Sequence, residues 1–138
     1  MAVENQSWEA FEENRIELEW LSIPDLDADP TGATPLDLSG RIVKFSLASI
    51  FNGAPLRSNP KIAARSDDGS GTVTIPDPSG AGGSDPHVRV TLEAADTTSF
   101  ASAGATAYHV QLEVLESDGS RPVIVATGTL TLKTNTQD

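Results

Sequence analysis

The sequence predicts an all-β domain, a sandwich of about seven antiparallel strands. Three observations carry that expectation. Apolar and polar residues alternate strictly over several short runs, which is the two-residue period of half-buried strands. Clusters of Gly, Pro, Asp, Asn and Ser break these runs at a spacing of roughly 8–12 residues, as in sandwiches. Hardly any stretch repeats its apolar residues at helical spacing. Alternation does not separate two packed sheets from one closed sheet, so a barrel stands as the alternative.

The elements follow in chain order. Residues 1–14 are polar with two isolated aromatics, Trp8 and Phe11, whose spacing suits a short helix with one apolar stripe. This N-terminal arm either folds back onto the edge of the domain or docks on a neighbouring subunit through Trp8 and Phe11. On the docking reading, deleting 1–14 leaves a folded monomer. The domain proper spans 15–133. It opens with Arg15-Ile16-Glu17-Leu18-Glu19-Trp20, in which charged and apolar residues alternate as in a half-buried strand. Pro24 ends that strand, and 25–32 is a loop. A second strand carries Val43, Phe45 and Leu47 on one face and stops before the turn dipeptide Asn52-Gly53.

Residues 61–64 form a short strand closed by Asp67-Asp68-Gly69, and Val73 and Ile75 mark another closed by Pro76. Turn formers fill 77–86, a flexible loop inside the domain. Val88, Val90 and Leu92 share the face of the next strand, and 94–101 reads as a helical turn across one end. The last third is a hairpin about Asp118-Gly119. Tyr108, Val110, Leu112 and Val114 face Ile124, Ala126, Leu130 and Leu132 across it. Residues 134–138 are expected to fray. Trp20 and Phe45, with the most area to bury, are expected at the centre of the core.

Composition limits function. A chain of 138 residues fits one domain, and it contains no cysteine, so neither disulfides nor thiolate metal sites support it. Twenty acidic against nine basic residues give a formal net charge of −11, which repels phosphate backbones and anionic lipid. No apolar run approaches the roughly 18–20 residues of a membrane span. Residues 1–13 carry four glutamates and no basic residue, unlike a signal peptide. Neither nucleic acid nor membrane is therefore expected as a partner.

No chemical motif is complete. Asp25, Asp27 and Asp29 have the spacing that opens a calcium-binding EF-hand loop, but Pro30 stands where that loop needs glycine and Leu36 where it needs glutamate. The loop is read as solvated, with no metal. His87 and His109 are the only histidines and lack any helical zinc-ligand spacing; His109, on the polar face of its strand, is read as a surface residue. Gly80, Gly82 and Gly83 lack the lysine and helix of a phosphate loop, and no nucleophile elbow is present. The pairs Glu17 with Glu19 and Glu113 with Glu116 are read as solvated carboxylates on strand faces or ends, with no pocket or electropositive neighbour expected beside them. No catalytic residue and no cofactor is expected, and the chain is read as a non-enzyme.

The segment Thr34-Pro35-Leu36-Asp37-Leu38-Ser39-Gly40-Arg41-Ile42-Val43-Lys44-Phe45 resembles the turn and following strand of phage Ig-like domains. These domains stand at the front of baseplate upper proteins and related tail proteins. Gly71-Thr72-Val73-Thr74-Ile75 resembles the strand before the family's short helical crossing, and Leu92-Glu93-Ala94-Ala95-Asp96-Thr97 that crossing. The stretch 104–114 with Tyr108 is similar to the Gly-x-Tyr strand that follows, and Ser117-Asp118-Gly119 with Gly128-Thr129-Leu130-Thr131-Leu132 to its final hairpin. The resemblance covers about 15–133. It departs in the insert at 77–85 and in the wider spacing between Gly104 and Tyr108.

The resemblance implies an antiparallel immunoglobulin-like sandwich and a structural role in a tailed phage virion, at the tail, baseplate, neck or capsid surface. It implies no catalytic residues. The partners would be other virion proteins, met as a homo-oligomer or in symmetric copies, and the chain would join the virion in the host cytoplasm. Two other functions compete: a module that binds a host-surface glycan or protein, and an intracellular adaptor. A glycan binder needs an exposed aromatic platform, for which only Trp8 and Phe51 are placed.

Overall fold

Charged and apolar residues alternate in Ile16-Glu17-Leu18-Glu19-Trp20, and the chain there is a strand with every second side chain buried. That pattern builds most of the fold. The computed structural model describes residues 3–11, 15–55, 60–80, 84–97 and 105–133. Among the described residues nine strands and one helical turn run in the order β1 (Val3–Phe11), β2 (Ile16–Trp20), β3 (Ile42–Phe51), β4 (Ala54–Pro55), β5 (Ile62–Arg65), β6 (Val73–Thr74), β7 (Val88–Leu92), α1 (Ala94–Thr97), β8 (Ala105–Leu115) and β9 (Val123–Lys133). The count exceeds seven because of β1 and the two-residue β4. The helical turn expected at 94–101 is present at its start, and its remainder lies outside the described residues, as does the tail 134–138.

Pairing divides the strands into two sheets. The larger runs β1-β9-β8-β3-β4, with β5 also on β3, and the smaller runs β2-β7-β6. Two separate hydrogen-bonded paths fit a β-sandwich and not a single closed barrel. All pairs are antiparallel except one: β1 lies parallel to β9, with Trp8 opposite Leu130 and Phe11 opposite Lys133. The larger sheet is therefore mixed, which corrects the wholly antiparallel expectation.

Residues 3–11 are also a strand and not the helical turn expected there. Two aromatics three residues apart, Trp8 and Phe11, are too few to define a helix, and the edge of β9 offers backbone partners to an extended chain. Trp8 is half-buried and meets Trp20 edge to face, with ring centroids 5.2 Å apart. The side chain of Phe11 lies outside the described residues, as does that of Phe51. The segment expected to be dispensable thus extends the sheet and packs on its core.

One core lies between the apolar faces. Phe45 and Leu47 of β3, Leu18 and Trp20 of β2, Val90 and Leu92 of β7, and Val110 and Leu112 of β8 are all buried. Phe45 is fully inaccessible to solvent, so the register read from the β3 alternation is correct. The β3–β4 hairpin turns on Asn52-Gly53, both at positive φ (53° and 79°), the two-residue geometry that asparagine followed by glycine favours.

Register departs from the simple pattern in β9. Leu112 pairs with Ala126 but Glu113 pairs with Ile124, so Val125 is an extra, bulged residue. The bulge shifts the parity beyond it. Val123, and not Ile124, then lies opposite core-facing Val114, at a point where the core ends; Val123 stays 49% exposed.

Candidate functional site

Four connections converge at one end of the two sheets. Trp20 at the end of β2 pairs with Val88 at the start of β7. Ile42 at the start of β3 pairs with Leu115 at the end of β8, and Lys44 with Arg65 at the end of β5. Segments 21–41, 75–87 and 116–122 therefore lie at this end, and 66–72 starts from it before running to β6, whose Val73 pairs with Val90 in the middle of β7. By sequence they hold ten Asp and Glu side chains against Arg41 and Arg121, or −8 of the chain's −11.

Local chemistry dictates the shape of these loops. Asp29-Pro30-Thr31-Gly32, Asp37-Leu38-Ser39-Gly40 and Asp77-Pro78-Ser79-Gly80 share one sequence pattern, each ending on a glycine at positive φ. In each, the Asp carboxylate accepts from the residue two positions on: Thr31 N at 3.1 Å and Oγ1 at 2.6 Å, Ser39 N at 3.0 Å, and Ser79 Oγ at 2.7 Å. Asp68 and Asp118 do the same for Ser70 and Ser120. Charge-assisted hydrogen bonds favour the ionised carboxylate. They hold Asp29, Asp37 and Asp118 below the usual carboxylate range, and the Arg65 and Ser70 donors bring Asp68 down to about 2.

The loop once compared with a calcium site is organised in the same way. Asp29 Oδ2 accepts from Thr34 Oγ1 at 2.8 Å, and Asp25 Oδ1 from Ala28 N at 3.1 Å. Asp25 N donates to Thr34 O at 2.8 Å, closing the loop at its neck. Asp25 and Asp29 thus point into their own loop and not at a shared centre. Among the described residues no three His, Cys, Asp or Glu side chains gather closely enough to hold a metal ion.

The loops are tied together by His87, a residue to which the sequence assigned no role. His87 is fully buried where the 75–87 loop enters β7, and its backbone N–H donates to Trp20 O at 2.9 Å. Its Nδ1 accepts from Ile23 N at 2.9 Å, which places the ring proton on Nε2, facing Pro78 O at 3.3 Å. Pro78 O also accepts from Leu38 N at 2.9 Å, and Leu36 N donates to Ile23 O at 2.8 Å. One neutral imidazole therefore links the 21–41 and 75–87 segments. Burial lowers its pKa from the ordinary histidine value, outweighing the backbone carbonyls of Pro78 and Leu36 and the charges of Asp77 and Asp37.

Gly80 completes the latch. It has φ +63°, and a Cβ there would lie 2.6–2.9 Å from three atoms of the His87 ring. Only glycine permits both the backbone conformation and the approach. Ser22 Oγ donates to Gly80 O at 3.1 Å, fastening the same turn to the end of β2.

Between this latched loop and the ends of β8 and β9 lies an open cleft of about 180 Å³. Leu26 and Leu36 form one wall, and Val114, Val123 and Val125 the other. Asp25, Asp27 and Arg41 stand at its margin, with the Arg41 guanidinium 2.9 Å from Glu116. The β9 bulge creates the valine wall, a feature the alternation of the sequence conceals. Of the residues singled out from sequence, Asp25 and Asp27 reach the cleft, whereas Trp8 lies on the core beside Trp20. His109, half-buried on the outer face of β8, lies near Gln111 Oε1 at 3.4 Å, apart from the loop end. No protein-family model matches the chain, and no curated protein or solved structure does either.

Proposed function

We propose that this chain is an immunoglobulin-like structural domain of a tailed bacteriophage virion, working by protein–protein docking and not by catalysis. The observation that carries the fold assignment is the pairing order. In support of it, the orders β2-β7-β6 and β9-β8-β3-β5 are those expected if these strands are B-E-D and G-F-C-C′ of an immunoglobulin sandwich. The first strand, parallel to the last, takes an A′ position. Leu18 and Val110 fill the core on the strands where antibody domains place a disulfide, and Phe45 stands on the strand of their buried tryptophan.

The particle assignment is supported by the ordered resemblance along 15–133 to phage Ig-like domains, and by a docking-ready loop end on a stiff scaffold. Symmetric copies would multiply a modest contact into firm attachment. Engagement of Trp8 with Trp20 favours this over the glycan-binding alternative, because a ring committed to the core makes a poor sugar platform. Deleting the gene and inspecting the resulting particles by electron microscopy tests the assignment. Particles lacking a tail, baseplate, neck or surface feature are the expected result; complete and infectious particles would refute it.

A further inference from the structure

The geometry points to the cleft between the 24–36 loop and the β8–β9 ends as a docking site for a partner segment that presents one aliphatic side chain flanked by lysine or arginine. The inference deepens the docking reading above by naming the partner's chemistry. Three features of the site select that occupant. The first is size and lining. About 180 Å³ between Leu26, Leu36, Val123 and Val125 is close to the roughly 150 Å³ of a cavity that takes up benzene, so it suits one apolar side chain.

Charge is the second feature. Arg41, the cation at the margin, is already paired with Glu116, and Asp25 and Asp27 stand beside the opening. The surrounding loops carry a net −8, or −7 with Arg65, which pairs with Asp67 at the same end, a field that attracts cations and rejects acidic partners. The third is preorganisation. Asp25 N to Thr34 O, Leu36 N to Ile23 O and the buried His87 fix the loop wall, and sheet pairing fixes the valine wall. A wall that is already ordered loses little freedom when a partner binds. Val123, 49% exposed beside core valines, would gain cover on docking.

The test is a nitrogen-15 NMR titration of the full chain with three capped tripeptides, Lys-Leu-Lys, Glu-Leu-Glu and Lys-Gly-Lys. Lys-Leu-Lys is expected to shift the amides of Leu26, Asp27, Leu36, Val123 and Val125 saturably, with the other two peptides binding at least about tenfold more weakly. Raising sodium chloride from about 20 to 500 mM should weaken Lys-Leu-Lys by about fivefold or more, as screening shortens the reach of the acidic field. Val123→Thr, a β-branched replacement at a half-exposed site, should weaken it about threefold or more without changing the fold. Equal binding of Lys-Gly-Lys would reduce the site to diffuse charge, and equal binding of Glu-Leu-Glu would remove the charge argument. No saturable shift by about 10 mM peptide would overturn the proposal. The titration uses the isolated chain, so its failure leaves the virion assignment to be judged by the particles.

Discussion

Gly80→Ala should destabilise the protein far more than one methyl group ordinarily does. Gly80 has φ +63°, and an alanine held there pays about 1–2 kcal/mol for its left-handed backbone. The new Cβ would also stand 2.6–2.9 Å from Cε1, Nδ1 and Nε2 of His87, inside contact distance of a ring that is fully buried. Either the ring moves, leaving the buried Ile23 N–H without its acceptor at about 1–3 kcal/mol, or the turn moves and loses its bonds to Ser22 and Leu38. The total comes to about 2–5 kcal/mol. Gly69→Ala is the control: Gly69 has φ +78° but nothing within 4 Å of its added Cβ, so only the backbone cost of about 1–2 kcal/mol applies. Urea denaturation of both variants should show Gly80→Ala worse by at least about 1 kcal/mol. Equal losses would mean that the His87 ring does not pack on Gly80, and the account of the latch would fail.

Acid should weaken the same latch. His87 is neutral in the fold and its pKa is lowered from 6.5, so its contribution is complete above that value and is lost as the pH falls below it toward the folded pKa. Stability should drop by at most about 1.4 kcal/mol per pH unit there, well before the carboxylates titrate, and the drop should survive His109→Ala in denaturation series from pH 7.5 to 5. Phe45→Ala should cost about 3–5 kcal/mol in the same assay, because the ring is completely enclosed; an unchanged midpoint would contradict the β3 register. Trp8→Ala should cost about 2–3 kcal/mol, less than a full ring burial because Trp8 is half-buried on Trp20. A neutral result would return residues 3–11 to the role of a free arm.

Much of the fold was legible because two-sided strands write their burial into the chain. Ile16, Leu18 and Trp20, or Val88, Val90 and Leu92, can bury together only on one strand face, and Asn52-Gly53 admits few turns other than the observed one. The rest depends on contacts between distant segments. β1 follows from the unpaired edge of β9, more than a hundred residues away, and nothing in 3–11 alternates strongly enough to announce it. The Val125 bulge is invisible in a run of small and branched residues that reads acceptably in either parity. His87 lies in a stretch of turn formers, and its burial follows from the way Gly80, Ile23 and Pro78 close around it. The site was legible in part for the same reason. Asp25 and Asp27 were conspicuous as charges, while the valine wall they border exists only once β8 and β9 pair with their irregular register.

The central claim is that this domain is a built-in part of a phage particle, and mass spectrometry of particles purified through two successive density gradients tests it most directly. The account predicts peptides from this chain at a fixed, symmetry-compatible ratio to the major virion proteins, unchanged between the two gradients. Recovery of the protein only from the soluble fraction of the lysate, with none in the purified particles, would contradict it.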